Sequence, residues 1–128
     1  MVFITNSVSQ PVNVSIGAPI GGYEVKGRIY DTAYGGAGAD VFPADLVPTN
    51  SPTCFRVIVC IDTATTCIVV RDDGGSEIDC HLNGGNNLAV DSEYAFDCYM
   101  TEDEEFNMEF GVACQINYLL VIEIPSLS

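Results

Sequence analysis

The side chains that could do chemistry in this 128-residue chain are six cysteines, one histidine and eighteen carboxylates. Nucleophilic catalysis needs a nucleophile and a base held within reach of each other. The only imidazole, His81, directly follows Cys80 in a segment that alternates like a strand, so the two side chains point to opposite faces and make no local pair. Structural zinc is poorly served, because no Cys-x-x-Cys occurs and a single histidine cannot complete the usual spacing. Disulfides or inert buried thiols remain for the cysteines. Paired carboxylates could hydrolyse a glycoside, but no pair stands out and the chain lacks the tryptophan that sugar clefts usually carry. Two acidic loops, one with Asp72, Asp73 and Glu77 and one running Glu102-Asp103-Glu104-Glu105 with Glu102 and Asp103 foremost, offer oxygen ligands, and calcium is the cation they would take. Neither has the spacing of an EF-hand loop, and solvated turns are the expected reading of both. No other cofactor is expected.

Period-two alternation dominates from residue 54 onward and predicts strands. In Cys54 to Ile61, the residues Phe55, Val57, Val59 and Ile61 share one face. A turn at Asp62-Thr63-Ala64-Thr65 leads to Thr66–Arg71, and the break Asp72-Asp73-Gly74-Gly75 leads to a strand with Ile78, Cys80 and Leu82 on one side. Tyr94, Phe96, Cys98 and Met100 alternate next, then Phe106, Met108, Phe110 and Val112, and finally Tyr118, Leu120, Ile122 and Ile124. No window has a helical period. The expectation is an all-β, single-domain antiparallel β-sandwich, jelly-roll-like, with core hairpins over 54–124.

Simple hairpin registers carry a consequence for the thiols. Pairing Thr66 with Ile61 sets Cys67 opposite Cys60, and pairing Ser76 with Arg71 sets Cys80 opposite Cys67. Three cysteines would then lie in one row at ~4.5–5.5 Å spacing, close to what a disulfide requires. Cys60–Cys67 is the preferred pair, and Cys80 bonds elsewhere or stays reduced.

Residues 1–50 read less clearly. Val2-Phe3-Ile4, Val12 to Ile16, Tyr23 to Tyr30 and Val41 to Val47 are candidate strands separated by glycine-rich loops. They complete the same sandwich as edge strands, or form an arm that pairs with a neighbouring subunit. No repeat or linker divides the chain.

The net charge of −14, with only Lys26, Arg28, Arg56 and Arg71 as fixed cations, argues against nucleic acid as a partner. No apolar run approaches the ~20 residues of a membrane helix, so membrane insertion is not expected. Scarce lysine, many cysteines and many hairpins suit an extracellular setting. Met1 opens directly on Val2-Phe3-Ile4-Thr5-Asn6 without the layout of a signal peptide, and release by assembly and lysis would reconcile the two.

The runs Phe55 to Ala64 and Leu82 to Asn86, with Tyr94-Ala95-Phe96-Asp97 and Leu119 to Ile124, resemble small jelly-roll surface proteins of tailed and archaeal viruses. The opening Thr5 to Val14 is similar to N-terminal segments of phage and spore-surface proteins. The resemblance covers roughly the last seventy residues and that opening, and it carries no functional residues. It implies a virion structural protein, a capsid decoration, turret or tail-surface subunit without enzymatic activity, located on the virion surface. Its partners would be copies of itself and other virion subunits. The alternatives are a subunit of an extracellular filament or spore appendage that exchanges its N-terminal strand, and a carbohydrate- or calcium-binding module. Ile58, Val70, Leu119 and Val121 are expected on the face opposite the core, where neighbouring subunits or a second sheet would bury them.

Overall fold

A computed structural model describes residues 23–36, 38–101 and 103–125. The candidate strands at Val2-Phe3-Ile4 and Val12 to Ile16, and candidate ligand Glu102, lie outside the described residues. Among the described residues seven strands form: β1 (Glu24–Tyr34), β2 (Thr53–Ile61), β3 (Cys67–Asp72), β4 (Glu77–His81), β5 (Tyr94–Met100), β6 (Glu105–Phe110) and β7 (Cys114–Pro125), with a 3-10 turn at Leu82–Gly85. They make two antiparallel sheets, one ordered β1-β7-β2-β5 and the other β4-β3-β6. The expected all-β sandwich is what the chain forms.

Burial alternates where the sequence alternates. Phe55, Val57, Val59 and Ile61 of β2 face Val69 of β3 and Phe106, Met108 and Phe110 of β6 in one apolar core. Edge-to-face aromatic pairs lock the sheets together: Phe55 on Phe106 and Tyr34 on Phe110, each with ring centroids 5.3 Å apart. Phe42, from the segment before β2, completes the core beside Gly27. A Cβ at Gly27 would stand 2.6 Å from the Phe42 ring, so the register shift between Val25 and Gly27 is a place where only glycine fits.

Three expectations about pairing and facing fail, each for a physical reason. First, the chain crosses between sheets where a hairpin was expected. Asp62-Thr63-Ala64-Thr65 carries it from β2 to β3, and Thr101 to Glu104 from β5 to β6, so Cys60 and Cys67 belong to different sheets. β2 is a central strand hydrogen-bonded to both β5 and β7, which leaves no edge for β3. All six cysteines are free thiols. Second, β3 and β4 do form a hairpin, but two residues out of the expected register: Asp72 pairs with Glu77 and Val69 with Cys80. The Asp73 carboxylate accepts hydrogen bonds from the amides of Gly75 (3.0 Å) and Ser76 (2.9 Å), and this local closure moves the turn to Asp73-Gly74-Gly75-Ser76. The row of three cysteines therefore does not exist.

Third, Leu119 and Val121 of β7 point into the core and are fully buried, while Tyr118, Leu120, Ile122 and Ile124 point outward. Glu123 shares the inward face, and its partners explain how. Its carboxylate accepts from the amides of Thr49 (2.8 Å) and Asn50 (2.7 Å) and from the Asn50 side chain (3.0 Å), with Lys26 at 3.2 Å. A strand with apolar residues on both faces chose its orientation by where one carboxylate could be satisfied. Ile58 and Val70 do face away from the core, as expected, Ile58 half-buried and Val70 buried beside Asn107 at the cavity it lines with Asp40 and Asp45.

Val41 to Val47 is not a regular strand. It runs along the free edge of β6, with Val41 N–H donating to the Met108 carbonyl (2.8 Å) and Leu46 exchanging hydrogen bonds with Phe106 (2.9 Å each).

Candidate functional site

The two outer faces of the sandwich are chemically unlike, and they are the features from which a function can be argued. The face of β4-β3-β6 is acidic. Register places Glu77, Asp72 and Glu105 in one row, Asp79, Val70 and Asn107 in the next, and His81, Ile68 and Glu109 in the third. Like charges directly opposed on adjacent strands repel, so the first row opposes folding. Asp40 and Asp45, brought in by the segment along β6, join Asp72, Glu77, Glu105 and Asn107 around a cavity of about 50 Å³.

Asn107 fixes that segment in place: its amide donates to the Phe42 carbonyl (2.9 Å) and the Asp45 carboxylate (2.8 Å), and its oxygen accepts from Phe42 N–H (3.0 Å). The Glu105 carboxyl lies above its ordinary range, first because it shares a hydrogen bond with Asp45, then through burial and the charges of Asp45 and Asp72. Burial, followed by Asp40, Asp79 and Glu77, raises Glu109 in the same direction.

Of the carboxylates singled out from sequence, Asp72 and Glu77 converge here. Asp73 is consumed by its own turn, and Asp103 lies exposed in the turn between β5 and β6. Glu105, from the end of the second acidic loop, joins them, whereas Asp40 and Asp45 were not foreseen as members. Glu105 continues the polar alternation of Asn107 and Glu109 and was legible, whereas Asp40 and Asp45 reach the site only through the tertiary path of their segment. Among the described residues, no three His, Cys, Asp or Glu side chains close on a point as a metal-ligand set. His81 is exposed on this acidic face and Cys80 half-buried on the other side of its strand.

The outer face of β1-β7-β2-β5 is apolar. Register sets Ile124, Cys54 and Tyr99 in one row, then Val25, Ile122, Arg56 and Asp97, then Arg28, Leu120, Ile58 and Ala95, then Tyr30, Tyr118 and Cys60. Tyr99 is 72 % exposed and Tyr30 59 %, while the aliphatic side chains of β7 and β2 between them are half-buried. Its fixed charges are Arg28, a two-pronged pair, Arg56 Nε to Asp97 at 2.8 Å and Arg56 Nη2 to Asp97 at 3.0 Å, and at the rim Glu93, which accepts from the Tyr118 hydroxyl at 2.5 Å. That pairing holds the Asp97 carboxyl below its usual range. Two of the four fixed cations in a chain of net charge −14 therefore sit on this face.

The cysteines divide between these environments. Cys54 and Cys60 lie on the apolar outer face, and Cys67 in the core, where burial and then the Cys114 thiol push it up to about 12. Cys98 faces inward and burial pushes it up to about 11, so neither thiol is a ready nucleophile. Arg71, inward on β3, donates to the Tyr99 carbonyl (3.2 Å) and approaches Glu104 at 3.5 Å, with its Nε buried and unpartnered.

No family model matches the chain, and comparisons with curated proteins and with solved structures find no match either.

Proposed function

We propose that this chain is a non-enzymatic structural subunit of an extracellular particle, a virion surface protein that decorates a capsid or tail as a homo-oligomer. The observation that carries the reading is the unlike pair of outer faces: an apolar sheet suited to burial against a neighbour, and an acidic sheet suited to face solvent and keep particles apart. The role is mechanical, with the core and the aromatic locks supplying rigidity.

Strand order supports the same class. With the segment along β6 counted as an eighth strand, the antiparallel pairs β1/β7, segment/β6, β2/β5 and β3/β4 nest as in a jelly roll, an architecture frequent in viral capsids. Fold alone does not give function, so the argument rests on the faces.

The test is the full chain at increasing concentration in sedimentation velocity and negative-stain electron microscopy, with mass spectrometry of nuclease-resistant particles from the source culture. Discrete oligomers, and this chain among the particle proteins, are expected. A monomer at millimolar concentration that is absent from particles would overturn the proposal.

A further inference from the structure

We infer that the partner of the apolar face is the same face of a second copy, packed sheet on sheet about a two-fold axis that runs parallel to the strands between β7 and β2. This rests on the reading of the chain as a self-assembling subunit and names the surface and geometry by which two copies meet.

Electrostatics selects the surface. At a net charge of −14 two copies repel over most of their area, and the acidic sheet forbids close approach most strongly. On the apolar sheet the fixed charges are Arg28, Arg56, Asp97 and, at the rim, Glu93, whose carboxylate accepts from the Tyr118 hydroxyl, so here alone among the two sheet faces can copies come together without opposing carboxylate rows.

Register then shows that the face complements itself. The two-fold lays β7 of one copy over β2 of the other, so Leu120 meets the partner's Ile58 and Ile124 meets the partner's Cys54. It also lays β1 over the partner's β5. Arg28 shares a row with Ala95, and Asp97 is two residues along the strand, so Arg28 comes within side-chain reach of the partner's Asp97. Each partner's Asp97 already holds its own Arg56, so the contact extends an existing pair into an Arg–Asp–Arg chain at both ends of the interface. The arrangement satisfies the rule that a two-fold contact uses one patch twice.

The size is adequate. Four strands at ~4.8 Å and seven residues at ~3.3 Å give a face of roughly 19 Å by 23 Å in projection, about 440 Å². Side-chain relief and the flanking Tyr30 and Tyr99 rings bring the accessible area toward the ~800 Å² per partner of a standard interface.

Sedimentation equilibrium of the full chain, of Leu120→Asp and of Arg28→Asp tests this, with circular dichroism melts to show that each variant folds. Both substitutions change outward-facing side chains. Leu120→Asp should weaken dimerisation roughly 30-fold, and Arg28→Asp about ten-fold with a loss of salt dependence. Oligomers that both variants leave unchanged overturn the inference while the self-assembling subunit stands. A wild-type monomer at millimolar concentration overturns the inference, and its absence from particles as well overturns the proposed function. A monomer that dimerises only after removal of residues 1–22, in a manner broken by Leu120→Asp, also overturns the inference, because the chain's own N-terminal segment would then cover the face.

Discussion

Replacing Glu123 tests the account of β7 most directly. Its side chain is fully buried and that of Lys26 is 11 % exposed, so their 3.2 Å pair is screened little by water. Removing one partner of a buried pair costs ~3–5 kcal/mol, and residual access of water to Lys26 puts Glu123→Ala near the lower end, about 3 kcal/mol. For about a hundred ordered residues the unfolding entropy is ~0.21 kcal/mol/K, so Tm should fall by roughly 14 °C. Glu123→Gln keeps the shape and one acceptor, and should lose less.

The pH dependence separates charge from packing. Burial pushes the Glu123 carboxyl up, but the Thr49 and Asn50 amides, the Asn50 side chain and Lys26 outweigh it and hold the group below its ordinary value. A depressed folded pKa means stability that is complete above the ordinary carboxylate range and lost as pH falls through the folded value. The gap between wild type and Glu123→Gln in thermal melts should therefore be widest near pH 7 and close in acid. A gap that stays constant from pH 7 to strongly acidic solution, or a Glu123→Ala variant as stable as wild type, would refute the reasoning.

Further outcomes follow from the same geometry. Gly27→Ala should destabilise by ~1–3 kcal/mol in urea melts, because the new methyl meets the Phe42 ring, and Gly27→Ala with Phe42→Leu should recover part of the loss. Glu77→Gln should raise Tm by a few °C at pH 7 by relieving the row it shares with Asp72 and Glu105, and added salt should shrink that gain. Native alkylation at pH 8 of the Leu120→Asp variant, whose outer face is uncovered, should leave Cys67 unmodified on a time scale that labels Cys54, and peptide mapping after mild oxidation should find no Cys60–Cys67 link.

Alternation made the strands legible, and made their partners illegible. β2, β5 and β6 present apolar residues every second position, and the sequence located them and, for β2 and β6, named their core residues. Which sheet each strand joins depends on contacts distant in sequence: β2 takes β7 as a neighbour some sixty residues away, as the pairing of Val57 with Val121 shows. Turn chemistry was misleading for the same reason. Asp62-Thr63-Ala64-Thr65 suits a hairpin locally, yet Asp62 instead accepts from Gln115 N–H (2.8 Å) and helps carry the chain to the other sheet. The acidic site was half legible, since Asp72 and Glu77 flank one hairpin turn while Asp40 and Asp45 arrive on a segment whose path is set by the Asn107 side chain.

β7 exposes the deeper ambiguity and turns it into an argument about assembly. Leu119 to Ile124 is apolar at every position except Glu123, so periodicity alone allows either face to be the core. Ordinarily the charged residue would mark the solvent side. Here it marks the inside, because Thr49, Asn50 and Lys26 give its carboxylate more than water could, and the clean aliphatic set Leu120, Ile122 and Ile124 is left outside. A sequence selected only for a soluble monomer would gain by placing a polar residue at those outward positions, which the core does not constrain. That they are aliphatic on β7 and matched by Ile58 on β2 is what a face kept for burial against another surface requires.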